Sequence, residues 1–428
     1  MQVPPRARSA VHLPARLAGL HAALPLAALA ALAVAGLSAA VAPRALAQPV
    51  RPAAVPAVAV TASVQDGWIN SCDSGQTPDY KPGNSAPAVD SPYWAALRMN
   101  TVRFSPPWDI ASYDPATPDG KVLAVEQACF NYWLRALAAK DVTPEIAFKP
   151  DYNYQSGNRI MIPDLKTYAA AIQAFISAYN CPAAPGGATC PDGLARVSII
   201  APWGEPEFKG SGKAGTYHKL RQYFYMQDGR RFDATVCRAH ASDVNCGPAL
   251  AAQMWVAVHH RCPSCVDIAG DFGSNRAKDF AYLAVYHKYL RDLHGGKAVY
   301  RPAVWAIHPY TDVIAFERHQ NVPLQQTLTG QYARRLRSIG FGSHTQIWLD
   351  EVSSFTVDFS KRRYSRQTQA MGASKLLRVL PRAGGASVPG EPVVTRIYYM
   401  RFAGAPHDAL IVKGKRQPVY FTFANRSK

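Results

Sequence analysis

Two glutamates stand out because each closes an apolar, β-branched run that also carries a tryptophan. In VSIIAPWGEPEF the run ends in Pro202-Trp203-Gly204-Glu205-Pro206-Glu207, and in IWLDEVSSF Glu351 follows Trp348, Leu349 and Asp350. If both runs are strands of one sheet, their carboxylates come to the same edge. Two carboxylates facing across a cleft divide the work of breaking a glycosidic bond: one protonates the leaving oxygen, the other attacks or activates water. A lone glutamate after a strand usually caps a helix or pairs with an arginine, and Glu207 and Asp350 are read as supporting residues of that kind.

The rest of the chain supplies the sheet. Strands are predicted over 57–64, 100–108, 142–149, 196–205, 266–272, 303–310, 345–352 and 395–402. Between them lie segments whose apolar residues recur at three- and four-residue steps, at 122–141, 165–180, 247–261, 279–295 and 366–380. Such segments lay one face on a sheet. Eight strands separated by helices imply parallel crossovers, and at this count a closed (β/α)8 TIM barrel of the α/β class. An open doubly wound sheet is the alternative, but no G-x-G-x-x-G loop follows the first strand.

A barrel gathers its chemistry at the C-terminal ends of its strands. Arg103, Trp108, Glu205, His308, Tyr310 and Glu351 all fall late in, or just beyond, a predicted strand. Trp203, beside Glu205, joins them as a candidate sugar contact, because the C–H face of a sugar ring packs on aromatic surface.

TVRF at Arg103, WGEP at Glu205, IHPY at His308 and Tyr310, and WLDE at Glu351 occur in that order. Together they resemble the clan A glycoside hydrolases, retaining (β/α)8-barrel enzymes that include endoglucanases, mannanases and β-xylosidases. The closing stretch KGKRQPVYFTF, with Gly414, Lys415, Pro418 and Tyr420, resembles the end of such a barrel, so the likeness covers about residues 57–424. The resemblance implies Glu205 as acid/base at the end of strand four and Glu351 as nucleophile at the end of strand seven. Arg103 would hold the nucleophile ionised, and the Tyr310 hydroxyl would touch it. Retention would set the two carboxyls about 5–5.5 Å apart, against roughly 6.5–9.5 Å for inversion. No metal or organic cofactor is implied. Two departures stand out. Gly204 replaces the asparagine that usually precedes the acid/base and bonds the sugar 2-hydroxyl. Strand eight lacks the usual tryptophan platform, leaving Tyr399 or Phe402 to serve, with Tyr399 as buried core the equal alternative. A non-catalytic carbohydrate- or wall-binding barrel and a transglycosylase are the alternatives.

Outside this region, Arg6, Arg8 and Arg16 precede an apolar run from about Leu24 to Val41, and Ala45-Leu46-Ala47 offers a small-x-small cleavage site. Residues 1–47 therefore read as a signal peptide, an uncleaved anchor being the alternative that Pro25 and Gly36 weaken. A Pro/Ala-rich linker follows at 48–56, then one catalytic domain at 57–428. The expected product is a secreted or envelope monomer with a carbohydrate substrate. Its eight cysteines form an even set, with Cys181/Cys190, Cys237/Cys246 and Cys262/Cys265 close in sequence and Cys72 and Cys129 left over. In an exported chain these read as disulfides. HHRCPSC at 259–265 could instead be a metal or redox site, but no second ligand pair matches it. The formal charge of +18, concentrated late in YARRLRS and SKRRYSR, suits a solvated basic face or an anionic cell-wall or extracellular polysaccharide. No nucleic-acid reading motif accompanies it.

Overall fold

Eight strands form where alternation and β-branched runs predict them. In chain order these are β1 (Thr61–Gln65), β2 (Thr101–Phe104), β3 (Thr143–Ala147), β4 (Ile199–Ala201), β5 (Val266–Phe272), β6 (Val304–Ile307), β7 (Gln346–Val352) and β8 (Val393–Tyr399). The structure, a computed structural model, describes residues 60–66, 87–149, 163, 165–181, 189–205, 226–227, 230–231, 246–273, 280–293, 300–358, 360–403 and 407–426. The signal-peptide, linker, Cys72, Glu207 and Cys237 readings lie outside those residues. All neighbouring strands pair in parallel, and β1 closes the ring by pairing with both β8 and β2. The fold is a (β/α)8 barrel.

Around it lie α1 (Pro118–Ala138), α2 (Leu165–Tyr179), α3 (Cys246–Arg261), α4 (Phe280–Leu293), α5 (Tyr310–Glu317), α6 (Leu328–Ser338), α7 (Arg366–Arg378) and α8 (Pro418–Ala424). Side-chain caps mark several starts: Thr117, Thr327 and Ser365 each accept a hydrogen bond from the backbone N–H three residues on. The periodicity reading had not picked out α5, α6 and α8. Helix α6 hides in the basic run, because Leu328, Tyr332, Ala333 and Leu336 are buried while Arg334, Arg335 and Arg337 are exposed. The charge cluster is the outer face of a core helix.

Strand alternation sorts the core into two regions. Outward residues such as Val102, Phe104, Ile146, Ile200, Trp305, Leu349 and Ile397 pack under the helices in one large cluster. Inward residues Ala147, Ile199, Ala201, Ile268, Val304, Ala306, Trp348 and Tyr398 fill the barrel. Burying each large side chain contributes about 1.5–3 kcal/mol, which is what holds helices to sheet.

Among the described residues, three register shifts interrupt the parallel ladders, one of them between Val394 and Arg396 of β8, and the other two bear on the site. Against β6, Ala269 pairs with Trp305 but Phe272 pairs with Ile307, so β5 holds one residue more than its partner. Against β8, Leu349 pairs with Ile397 but Val352 pairs with Tyr399, so β7 gains one too. A bulge of this kind bends the strand and re-aims a side chain. Without the extra residue, Asp271 and Glu351 would follow their neighbours onto the outer face.

Cys181 is bonded to Cys190 between α2 and β4, and Cys262 to Cys265 in the turn from α3 to β5. Among the described residues there is no free cysteine. None of the described helices is long and apolar enough to cross a membrane. Thiol titration of the unfolded, unreduced protein should therefore find these four cysteines blocked. Replacing Cys181 and Cys190 together with alanine should cost about 2–3 kcal/mol of stability, read as a lower urea midpoint. An unchanged midpoint would show the loop to be held by other contacts.

Candidate active site

Arg103 points inward from β2 and is 1% exposed. Its NH1 donates to Gln65 Oε1 at 2.8 Å and Glu351 Oε2 at 3.0 Å, and its NH2 to Asp271 Oδ2 at 2.9 Å. Nε lies 3.3 Å from Glu145 Oε1, an ion contact without the alignment of a hydrogen bond. One cation thus holds carboxylates from β3, β5 and β7.

Glu351 reaches the barrel mouth because of the shift in β7, with its side chain 16% exposed. Its other oxygen accepts a hydrogen bond from the Tyr310 hydroxyl, at the start of α5. Burial alone would push its pKa up, but His308, Arg103 and the Tyr310 hydroxyl together hold it below the ordinary carboxylate range. Burial, reinforced by the neighbouring carboxylates, pushes the Tyr310 phenol well up, so it stays a donor. Asp350, the residue before, faces the barrel interior and is fully buried. Burial, with Glu145 and Asp271 close by, pushes its pKa well above the ordinary carboxylate range. Glu145 is likewise raised by burial, to about 7, despite Arg103. Asp350 is therefore part of the barrel interior rather than a helix cap.

Glu205 follows β4 by four residues and adopts a left-handed conformation (φ 51°), one of a few non-glycine residues so placed. Its N–H donates to the Asp271 carbonyl at 2.9 Å, fixing the turn. The carboxylate is 26% exposed at the mouth, and His308 Nδ1 lies 3.1 Å from Oε1. A Cβ on Gly273 would fall 2.2 Å from that same Oε1, so only glycine leaves the carboxylate its seat. The other imidazole nitrogen, Nε2, lies 2.7 Å from Asp271 Oδ1. Burial disfavours the imidazolium, but Asp271, with Glu205 and Glu351 assisting, holds His308 well above its ordinary value. Both ring nitrogens therefore donate.

One oxygen of Glu205, one of Glu351 and a ring nitrogen of His308 lie within 4.8 Å of one another. Such a set has metal-ligand types, but its donor atoms are engaged: the imidazole nitrogens face Glu205 and Asp271, and Glu351 is taken by Arg103 and Tyr310. A metal would have to displace all three.

Of the residues singled out from sequence, Arg103, Glu205, His308, Tyr310 and Glu351 converge in one hydrogen-bonded group. Trp108 and Trp203 lie just past β2 and β4, nearly closed to solvent in the large hydrophobic cluster. Tyr399 is not brought to the site. It faces outward from β8, fully buried, with its ring edge-on to Phe423 and its hydroxyl bonded to Ser354. Phe402 packs near Trp94 in the same cluster. Neither is a sugar platform, because β8 alternation turns Tyr398 inward and Tyr399 out. Met400 comes to the site instead, its sulfur 3.5 Å from the Tyr310 hydroxyl. The sequence reading missed Asp271, Gln65 and Glu145. Gly270 inside VDIAGDF is the available signal, since a glycine within a strand often marks a bulge.

No protein-family model and no curated protein matches the sequence. The chain is similar to several solved structures. A monomeric β-xylosidase from Caulobacter crescentus CB15 is 14% identical, with 87% of this chain and 69% of that one covered and a TM-score of 0.49. A family 39 glycoside hydrolase from Bacteroides cellulosilyticus WH2 is 12% identical over 86% of this chain, with a TM-score of 0.48. The chain spans 63% of that second structure. Endoglucanase Cel5A from Pseudomonas stutzeri is 13% identical, with 85% of this chain and 92% of that one covered and a TM-score of 0.46. The likeness concerns the barrel and says nothing of the reaction.

Removing Arg103 should be costly out of proportion to one hydrogen bond, because it strands buried carboxylates. Arg103→Met should lose about 3–5 kcal/mol in urea unfolding. Adding Glu145→Gln to that variant should recover part of the loss, since one stranded carboxyl is then neutral. Strictly additive losses would mean that the arginine and Glu145 are not coupled.

Proposed function

We propose that this chain is a retaining glycoside hydrolase that cleaves O-glycosidic bonds of an oligo- or polysaccharide by double displacement. The observation that carries the reading is the pair of carboxylates at the barrel mouth, Glu351 against Arg103 and Tyr310 and Glu205 against His308. Glu351 is held ionised by Arg103, His308 and Tyr310, and an oxygen of Glu205 lies within 4.8 Å of it. That spacing favours direct attack over an interposed water.

Glu351 attacks the anomeric carbon, and the bond from that carbon to the leaving oxygen breaks. Glu205 supplies the proton that the leaving oxygen takes. Its Oε1 accepts from His308, so Oε2 is the oxygen left to carry that proton. In the second half, Glu205 takes a proton from water as the water oxygen attacks the same carbon, and Glu351 departs. Two inversions give net retention. Arg103 and Tyr310 do not move protons; they stabilise the charge on Glu351 whenever it is free.

The enzyme is proposed to act outside the cell or in the envelope as a monomer. The two short-range disulfides support an oxidising compartment. Exposed Arg334, Arg335, Arg362 and Arg363 support an anionic polysaccharide as substrate or anchorage.

Glu351→Gly should abolish turnover of an activated aryl glycoside. Azide or formate should then restore part of it, giving a glycosyl product of inverted configuration by NMR. A Glu351→Gly enzyme as active as the parent would put the nucleophile elsewhere, and a reducing-sugar screen with no substrate turned over would favour a binding barrel.

A further inference from the structure

Asp271 is the buried group in the site to which the mechanism above gives no part, and it touches both halves of it. One oxygen lies 2.9 Å from Arg103 NH2, and the other 2.7 Å from His308 Nε2. Arg103 in turn holds Glu351, and His308 holds Glu205. The backbone carbonyl of Asp271 also accepts the Glu205 N–H. With both oxygens so used and the residue 1% exposed, Asp271 has nothing left to offer a sugar.

Its place is built by the backbone. Gly270 (φ 85°) and Asp271 (φ 49°) both adopt left-handed conformations at the register shift in β5. A Cβ on Gly270 would come within 3.0 Å of Phe272 and the Tyr332 hydroxyl, so the shift depends on glycine there. A non-glycine residue in this conformation costs about 1 kcal/mol or more, and such strain is kept where the aim of a side chain matters. Gly204 completes the fit. A Cβ there would lie 3.3 Å from Asp271 Oδ2 and 3.9 Å from Arg103 NH2. The side chain missing beside Glu205 leaves the room that the Asp271 carboxylate fills from the next strand.

We propose that Asp271 is a positioning residue that sets both catalytic carboxylates at once, holding Arg103 against Glu351 and a doubly protonated His308 against Glu205. The inference rests on the glycosidase reading for its consequence in turnover, but not for its consequence in protonation. The charged or titratable groups around His308 are Asp271 from β5, Glu205 from just beyond β4, Asp350 and Glu351 from β7, and Tyr310 from α5. Asp271 is the strongest of those that keep the ring charged. Burial would push the Asp271 carboxyl up, yet Arg103 and His308 hold it below the ordinary range, so the pair stays ionic at neutral pH.

Asp271→Asn keeps the shape and removes the charge. In the parent, 15N-histidine NMR should find the His308 ring doubly protonated through pH 8; its signal is assigned by its loss in His308→Gln. In Asp271→Asn, with the burial penalty no longer offset, the ring should titrate between about pH 5 and 8. Turnover should fall about 100-fold at pH 7, in kcat with little change in KM, and should decline further as pH rises through the new ring pKa. Gly204→Ala, which crowds the same carboxylate, should lower kcat in the same direction by a smaller factor. A ring still doubly protonated at pH 8 in Asp271→Asn would overturn the proposal. So would a pH–rate profile that superimposes on the parent's. The ring signal is read without substrate, so a protein inactive on every glycoside tried would sink the functional reading and leave the protonation result standing.

Discussion

A single buried cation organises this barrel. Arg103 is planar, permanently charged and rich in donors, so it can face Gln65, Glu145, Asp271 and Glu351 together. Its desolvation is severe, and only such a surround offsets it. The surround in turn needs the cation. His308 and Arg103 hold the Glu351 and Asp271 carboxyls low, while burial pushes Asp350 up. The interior therefore contains acids of the same chemical type pushed in opposite directions, Glu351 and Asp271 down by the two cations and Asp350 and Glu145 up by burial. That sorting is what lets adjacent residues of β7, Asp350 and Glu351, do unrelated jobs.

The barrel was legible in the sequence because its signals are local. Each strand is a short β-branched run, and each of the five helices read from periodicity shows a regular apolar stripe. Helix α6 escaped because its arginines dominate its composition, although its buried face keeps the helical spacing. Helix α5 escaped because it begins at Tyr310, where the strand reading was still running. In both cases charge or a neighbouring element masked a pattern that was present.

The site was legible only in part, and the division has a physical cause. Arg103, Glu205, His308, Tyr310 and Glu351 are polar residues at strand ends, which composition alone makes conspicuous. Tyr399 stays open between platform and core in the sequence because two tyrosines stand side by side and alternation sends one in and one out; the inward one is Tyr398. Asp271 was overlooked for the opposite reason. Simple alternation after Ile268 assigns it to the outer face, and the register shift that brings it inward lies in backbone angles at Gly270 and Asp271. Side-chain type announces chemistry, but which face it serves is settled by one residue of strand length.

That single residue has a consequence for how this chain compares with others. In β5 and β7 the functional carboxylates are delivered by an added backbone unit rather than by a substitution at a fixed position. Aligning such strands column by column, without a gap, sets Asp271 and Glu351 opposite outward apolar residues of an unshifted strand. Identity then falls in the very columns that carry the chemistry, while the arrangement in space is kept. Relatives of this site are better sought by the placement of a guanidinium among three carboxylates than by motif, and a deletion of one residue in either strand would rotate the site out of the barrel while leaving the composition nearly untouched.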